Sequence, residues 1–117
     1  MLRKIDCVMV QVDDLDAGIA FYTGMPGLRP LWRDETSAGL GLPETDAEIV
    51  LHTFALPAGR STCYLVDDVL TAVETWREAG HEILEPPFEI AIGRCAVLAD
   101  PFGNAVCVLD MTKGPRT

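Results

Sequence analysis

VDDLDAGIAFY, Val12 to Tyr22, is answered 54 positions later by VDDVLTAVETW, Val66 to Trp76, and the two align without a gap. Each copy opens on Val-Asp-Asp, continues with an apolar residue and ends on an aromatic ring. Each reads as the end of a strand, a cap and a helix. Asp13 or Asp14, and Asp67 or Asp68, can accept hydrogen bonds from the first free helical amides, and their charge opposes the positive end of the helix dipole. Leu15, Ile19 and Tyr22 fall on one helical face, as do Val69, Val73 and Trp76. Capping accounts for the acidic pairs in both copies, so no acid–base role is assigned to them.

Upstream of the first copy, KIDCVMV alternates as a half-buried strand does, with Ile5, Cys7 and Met9 on one face. Downstream of each copy comes glycine, in MPGLRPLW and in EAGHEILE, as suits a helix C-terminus. Extended segments follow. In the first half they fall near Leu28–Arg33, Ser37–Leu42 and Glu48–Phe54. In the second half they fall near His81–Leu84, Ile90–Ala99 and Asn104–Asp110. Breaks lie at Gly41-Leu42-Pro43, Leu56-Pro57-Ala58-Gly59, Pro86-Pro87 and Asp100–Asn104. The fold class is therefore α+β, with two tandem βαβββ modules, 1–57 and 58–117, in one domain spanning 1–117. The link near Pro57–Ser61 joins them, and neither half has a full core alone.

The 117 residues suit a single domain, and 49% of them are hydrophobic. A formal net charge of −9 repels phosphate backbones and anionic membranes, so nucleic acid and membrane are excluded as partners. No stretch approaches the roughly 20 apolar residues of a membrane span. The N-terminal segment lacks a signal-peptide core, and a cytoplasmic location is expected. Cys7, Cys63, Cys95 and Cys107 are widely spaced without a Cys-x-x-Cys pair. In a reducing compartment each is expected to be a reduced, buried small hydrophobe rather than part of a disulfide framework.

VQVDDLDAGIAFYTGMPGL, YLVDDVLTAVETWREAGHEI and LADPFGNAVCVLD together resemble the vicinal oxygen chelate superfamily. That superfamily includes glyoxalase I, extradiol dioxygenases and the bleomycin- and fosfomycin-resistance proteins. The resemblance implies a cupped mixed sheet with helices on its outer face. It also implies a divalent metal held in the cup by His, Glu or Gln from the first and last strand of each module. Carried onto this chain, those positions become Cys7, Val50, Ser61 and Cys107. A slip of two in the fourth strand would bring in Glu48 or His52. Valine has no lone pair, serine is a weak neutral donor, and two thiols suit soft ions only. No metal, no cofactor and no catalytic residue is assigned.

Alternation from Cys7 brings Met9 to the cup, along with Val50 and His52 in the fourth strand, Ser61 in the fifth and Cys107 in the last. Trp32 and Arg94 are placed at the cleft mouth, to stack on or clamp a ligand. The ligand-binding set is thus Cys7, Met9, Trp32, Val50, His52, Ser61, Arg94 and Cys107. Such a mostly apolar cleft fits a metal-independent protein that holds an apolar or aromatic small molecule, as the antibiotic-binding relatives do. The alternative is an enzyme: a metal-dependent lyase or dioxygenase with an atypical Cys-containing site, or a metal-free isomerase using His52. By resemblance the chain is expected to form a homodimer.

Overall fold

A computed structural model describes residues 1–55 and 60–114; for 60 and 61 it describes the backbone only. The chain runs β1 Lys4–Gln11, α1 Leu15–Thr23, β2 Arg29–Arg33, β3 Ser37–Leu42, β4 Thr45–His52, β5 Arg60–Leu65, α2 Val69–Glu78, β6 Ile83–Ile90, β7 Gly93–Ala99 and β8 Ala105–Leu109. This is βαβββ twice, as the repeat predicts. Most of the expected link between modules lies outside the described residues.

The second aspartate of each Val-Asp-Asp is the cap. Asp14 accepts from the Ala17 amide at 3.1 Å and Asp68 from the Thr71 amide at 3.0 Å, both from an extended backbone. Gly27 and Gly80, just beyond the two helices, take positive φ and turn the chain back to the sheet.

All eight strands form one sheet, in the order β2-β3-β4-β1-β5-β8-β7-β6. The modules meet where β1 pairs antiparallel with β5, and β1–β4 and β5–β8 pair parallel. Met9 stands opposite Val50 as Cys63 stands opposite Cys107. The repeat relates Met9 to Cys63, so the sheet relates Val50 to Cys107.

One face of the sheet carries the helices. Leu15, Ile19 and Tyr22 pack with Val10, Leu40 and Leu51. Val69, Val73 and Trp76 pack with Ala96, Leu98 and Val108. Trp76 also donates its Nε1–H to the Ala99 carbonyl at 2.9 Å. The other face is a separate apolar cluster of Cys7, Met9, Val50, Cys63, Leu65, Cys95, Cys107 and Leu109. Alternation splits each strand between the two, which is why one sheet carries two cores.

Three expectations need correction. A register shift between Ile5 and Cys7 breaks the alternation of β1, and Ile5 is half exposed while Cys7 is buried. Pro86-Pro87 does not end a strand: β6 runs through both, with register shifts on either side of Glu85. It is the outermost strand, where a residue without an N–H forfeits no ladder bond on its open side. The other outermost strand, β2, carries Pro30. Finally, Cys63 and Cys107 are joined in a disulfide, across 44 positions of sequence. Parallel pairing sets their Cα atoms 4.5 Å apart on one face, within reach of a bridge. Spacing along the chain gives no hint of this.

One side chain ties the second module together. Asp110, fully buried just past β8, accepts from the Val69 amide at the start of α2 at 2.7 Å and from the Arg94 amide at 2.9 Å. The Thr112 hydroxyl donates to it at 3.0 Å. Burial opposes its charge, but these donors outweigh that cost and hold its pKa below the usual carboxylate range. A Cβ at Gly93 would collide with Asp110, so glycine is required there.

Candidate functional site

The concave face encloses an open cavity of about 450 Å³. Its floor is Cys7 and Met9 from β1, Val50 from β4, Cys95 from β7 and Leu109 from β8. Three aromatic rings wall it: Trp32, Phe54 and Phe88. Phe54 and Phe88 meet edge to face with centroids 6.2 Å apart. Asp34, Thr36 and Ser37 supply polar groups. Both modules contribute to the lining.

Trp32 is held rather than merely placed. Its Nε1–H donates to Glu48 Oε1 at 2.6 Å. Its ring lies over Gly39, where a Cβ would strike both the indole and the Glu48 carboxylate. Glycine in SAGLGL therefore makes the slot in which the indole rests. Asp34 orders the turn beside it: its Oδ1 accepts from the Ser37 amide at 2.8 Å and the Thr36 amide at 2.9 Å. Burial works against its charge, yet these bonds and the two hydroxyls keep the carboxyl below its ordinary pKa.

Of the eight residues expected to hold ligand, Cys7, Met9, Trp32 and Val50 line the cavity. Cys107 belongs to the same cluster but is fully buried and bridged to Cys63. His52 is fully buried beneath Phe54, with ring centroids 5.5 Å apart. Its Nδ1 accepts from the Phe54 amide at 3.1 Å, so the ring proton sits on Nε2. Nε2 meets no hydrogen-bond partner among the described residues. Burial pushes the His52 pKa below its usual value. Ser61 stands opposite Met9 on β5, and its side chain lies outside the described residues. Arg94 lies outside the lining. Its neighbour Cys95 points into the cup cluster, so alternation turns Arg94 away, and its Nε–H donates to Glu89 at 2.9 Å. That same alternation, read from Cys95 in IGRCAV, would have placed Cys95 in the floor from sequence. Phe88 was visible as an aromatic of the second half; Ile92 gave no comparable signal.

The oxygen-chelating metal implied by the resemblance does not fit these residues. Cys107 is committed to a disulfide, Val50 offers no donor, and no imidazole or carboxylate from the expected positions reaches the floor. A hard divalent ion would meet sulfur and hydrocarbon.

A family model described as Glyoxalase/Bleomycin resistance protein/Dioxygenase superfamily matches residues 4–108. No curated protein matches the sequence. Among solved structures, the chain is similar to one described as an NAD-dependent benzaldehyde dehydrogenase from Legionella pneumophila, at 18% identity and a TM-score of 0.72, covering 91% of this chain and 98% of that one. It is also similar to methylmalonyl-CoA epimerase from Streptomyces coelicolor in complex with 2-nitronate-propionyl-CoA, at 20% identity and 0.69, covering 96% and 99%. The epimerase from Mycobacterium tuberculosis gives 18% and 0.69, covering 93% and 88%. At these identities the likeness is one of fold.

Proposed function

Because the chain belongs to the glyoxalase/bleomycin resistance protein/dioxygenase superfamily, we propose that it binds an apolar or aromatic small molecule in its cup without the help of a metal. The observation that carries this reading is the cavity of about 450 Å³ walled by Trp32, Phe54 and Phe88 over a floor of sulfur and aliphatic carbon. That volume lies in the range of small-ligand sites, which combine an apolar wall with a few polar groups for orientation. Asp34, Thr36 and Ser37 are those groups here. A net charge of −9 disfavours a polyanionic ligand and favours a neutral or cationic ring. We assign a homodimer and a cytoplasmic location to the same reading, the first on family resemblance; light scattering on the purified protein tests it.

The test is a thermal-shift screen with a panel of aromatic small molecules, run with and without a metal chelator. A ligand of the native state raises the melting temperature, and chelator leaves that shift unchanged. Trp32→Ala, which removes the anchored ring, weakens binding roughly 10- to 100-fold. Binding or turnover that appears only on adding a divalent metal would sink the proposal in favour of a metal enzyme.

A further inference from the structure

We propose that the reduced protein carries a buried three-sulfur site for a soft cation of the Cu(I) class, built from Cys63, Cys95 and Cys107 beneath the cup. The three sulfur atoms all lie within 4.8 Å of one another. Cys95 Sγ is 3.5 Å from Cys107 Sγ. A metal–thiolate bond of about 2.3 Å separates three trigonal sulfurs by about 4 Å; Cys95 and Cys107 stand near that spacing, and reduction frees Cys63 and Cys107 from their bridge to reach it. Cys107 Sγ also lies 3.9 Å from Met9 Sδ, a thioether.

The donor chemistry selects the ion. The group contains sulfur alone, and all three cysteines are buried in an apolar cluster. Thiolate and thioether together suit Cu(I), whereas zinc sites are completed to four with further thiolates, imidazole or carboxylate. The way in is the cavity itself, which is open and exposes Cys95 and Met9 on its floor. This site shares only Cys107 with the four positions that hold metal in the oxygen-chelating relatives: Cys63 and Cys95 are not among them.

The disulfide is the gate. With Cys63 joined to Cys107, two of the three donors are consumed. A low-molecular-weight thiol opens it: two thiol molecules are oxidised to their disulfide, and Cys63 and Cys107 each take up one electron and one proton. The cation then displaces one proton from each thiol that ligates it. Burial, reinforced by the charges of Asp110 and Glu85, pushes the Cys95 thiol up to about 12. In a reducing compartment the site would stand open.

The experiment uses the whole chain reduced with a phosphine under anaerobic conditions. It is titrated with Cu(I) against a chromophoric Cu(I) chelator, and the oxidised chain is titrated alongside. The reduced form takes one Cu(I) per chain, on the order of 100-fold tighter than the disulfide form, which lacks two donors. Cys95→Ala weakens binding by the reduced chain at least roughly tenfold, and Cys7→Ala retains one Cu(I) per chain. Circular dichroism before titration shows that each form is folded. The wild-type pair needs no substitution, so a variant that fails to fold leaves the comparison standing. Equal binding by both redox forms, no binding by the reduced one, or a Cys95→Ala variant that binds as the wild type does would each overturn the site. None of these results bears on the aromatic ligand of the cup, which is read by a separate thermal shift.

Discussion

His52 shows how much a strand position decides about a side chain. The same alternation that brings Val50 to the cup brings His52 there, but Phe54 covers it, and Nε2 has no partner among the described residues. The folded chain therefore resists protonating this ring, while the unfolded chain takes up a proton near the ordinary histidine pKa. Because the folded value is the lower one, the stability is complete above about pH 7 and is lost as pH falls through the unfolded value near 6.5. One such group gives a slope of at most about 1.4 kcal/mol per pH unit. Urea denaturation at pH 7, 6 and 5 should show this loss, and His52→Gln should flatten it. A variant with an unchanged slope would place the titration elsewhere. Cys7, Met9, Trp32 and Val50 were legible as cup residues because each rests on a period of two or on an aromatic beside a predicted turn. Arg94 was not, because its placement followed its charge rather than the pleat fixed by Cys95.

At the scale of elements, α2 depends on a residue 41 positions away, since Asp110 accepts from the Val69 amide at its first turn. The helices themselves were readable from their caps and apolar faces. This tie was not, because an aspartate closing an apolar strand looks like the start of a loop until the sheet brings Gly93 and α2 against it. Asp110→Ala would leave buried amide donors of two elements without an acceptor and should cost about 2–4 kcal/mol of stability in denaturant melts. Asp110→Asn keeps one acceptor oxygen but sets an amide group against a donor, and should recover only part of that loss. Equal stability of all three forms would refute the tie. Carboxylate protonation also weakens it: its folded pKa is depressed, so its contribution is present above about pH 4 and fades below.

For the molecule as a whole, the repeat was enough to give βαβββ twice, because duplicated caps and helices are local signals. The disulfide was beyond reach, because it depends on how β5 and β8 register across 44 residues. Closing a loop of that length restricts the unfolded chain and stabilises the fold by about 2–4 kcal/mol. Reduction should therefore lower the urea midpoint by a matching amount while far-UV circular dichroism at zero urea stays native. A midpoint that does not move would mean the bridge adds no constraint. Loss of the native spectrum on reduction would show that the two modules depend on it to stay joined.

The two outer strands hold a last consequence. An eight-stranded sheet ends in two rows of backbone groups with no neighbour, which is a template for stacking chain upon chain into fibrils. Here one margin carries Pro30 and the other Pro86 and Pro87, so neither offers an unbroken row of amide donors. Prolines at both margins thus oppose sideways growth of the sheet by added strands. Replacing Pro30 and Pro87 together with valine should leave the monomer folded yet shorten the lag before thioflavin-positive aggregates form at elevated temperature. An unaltered lag would mean that twist or side-chain charge, rather than proline, guards the margins.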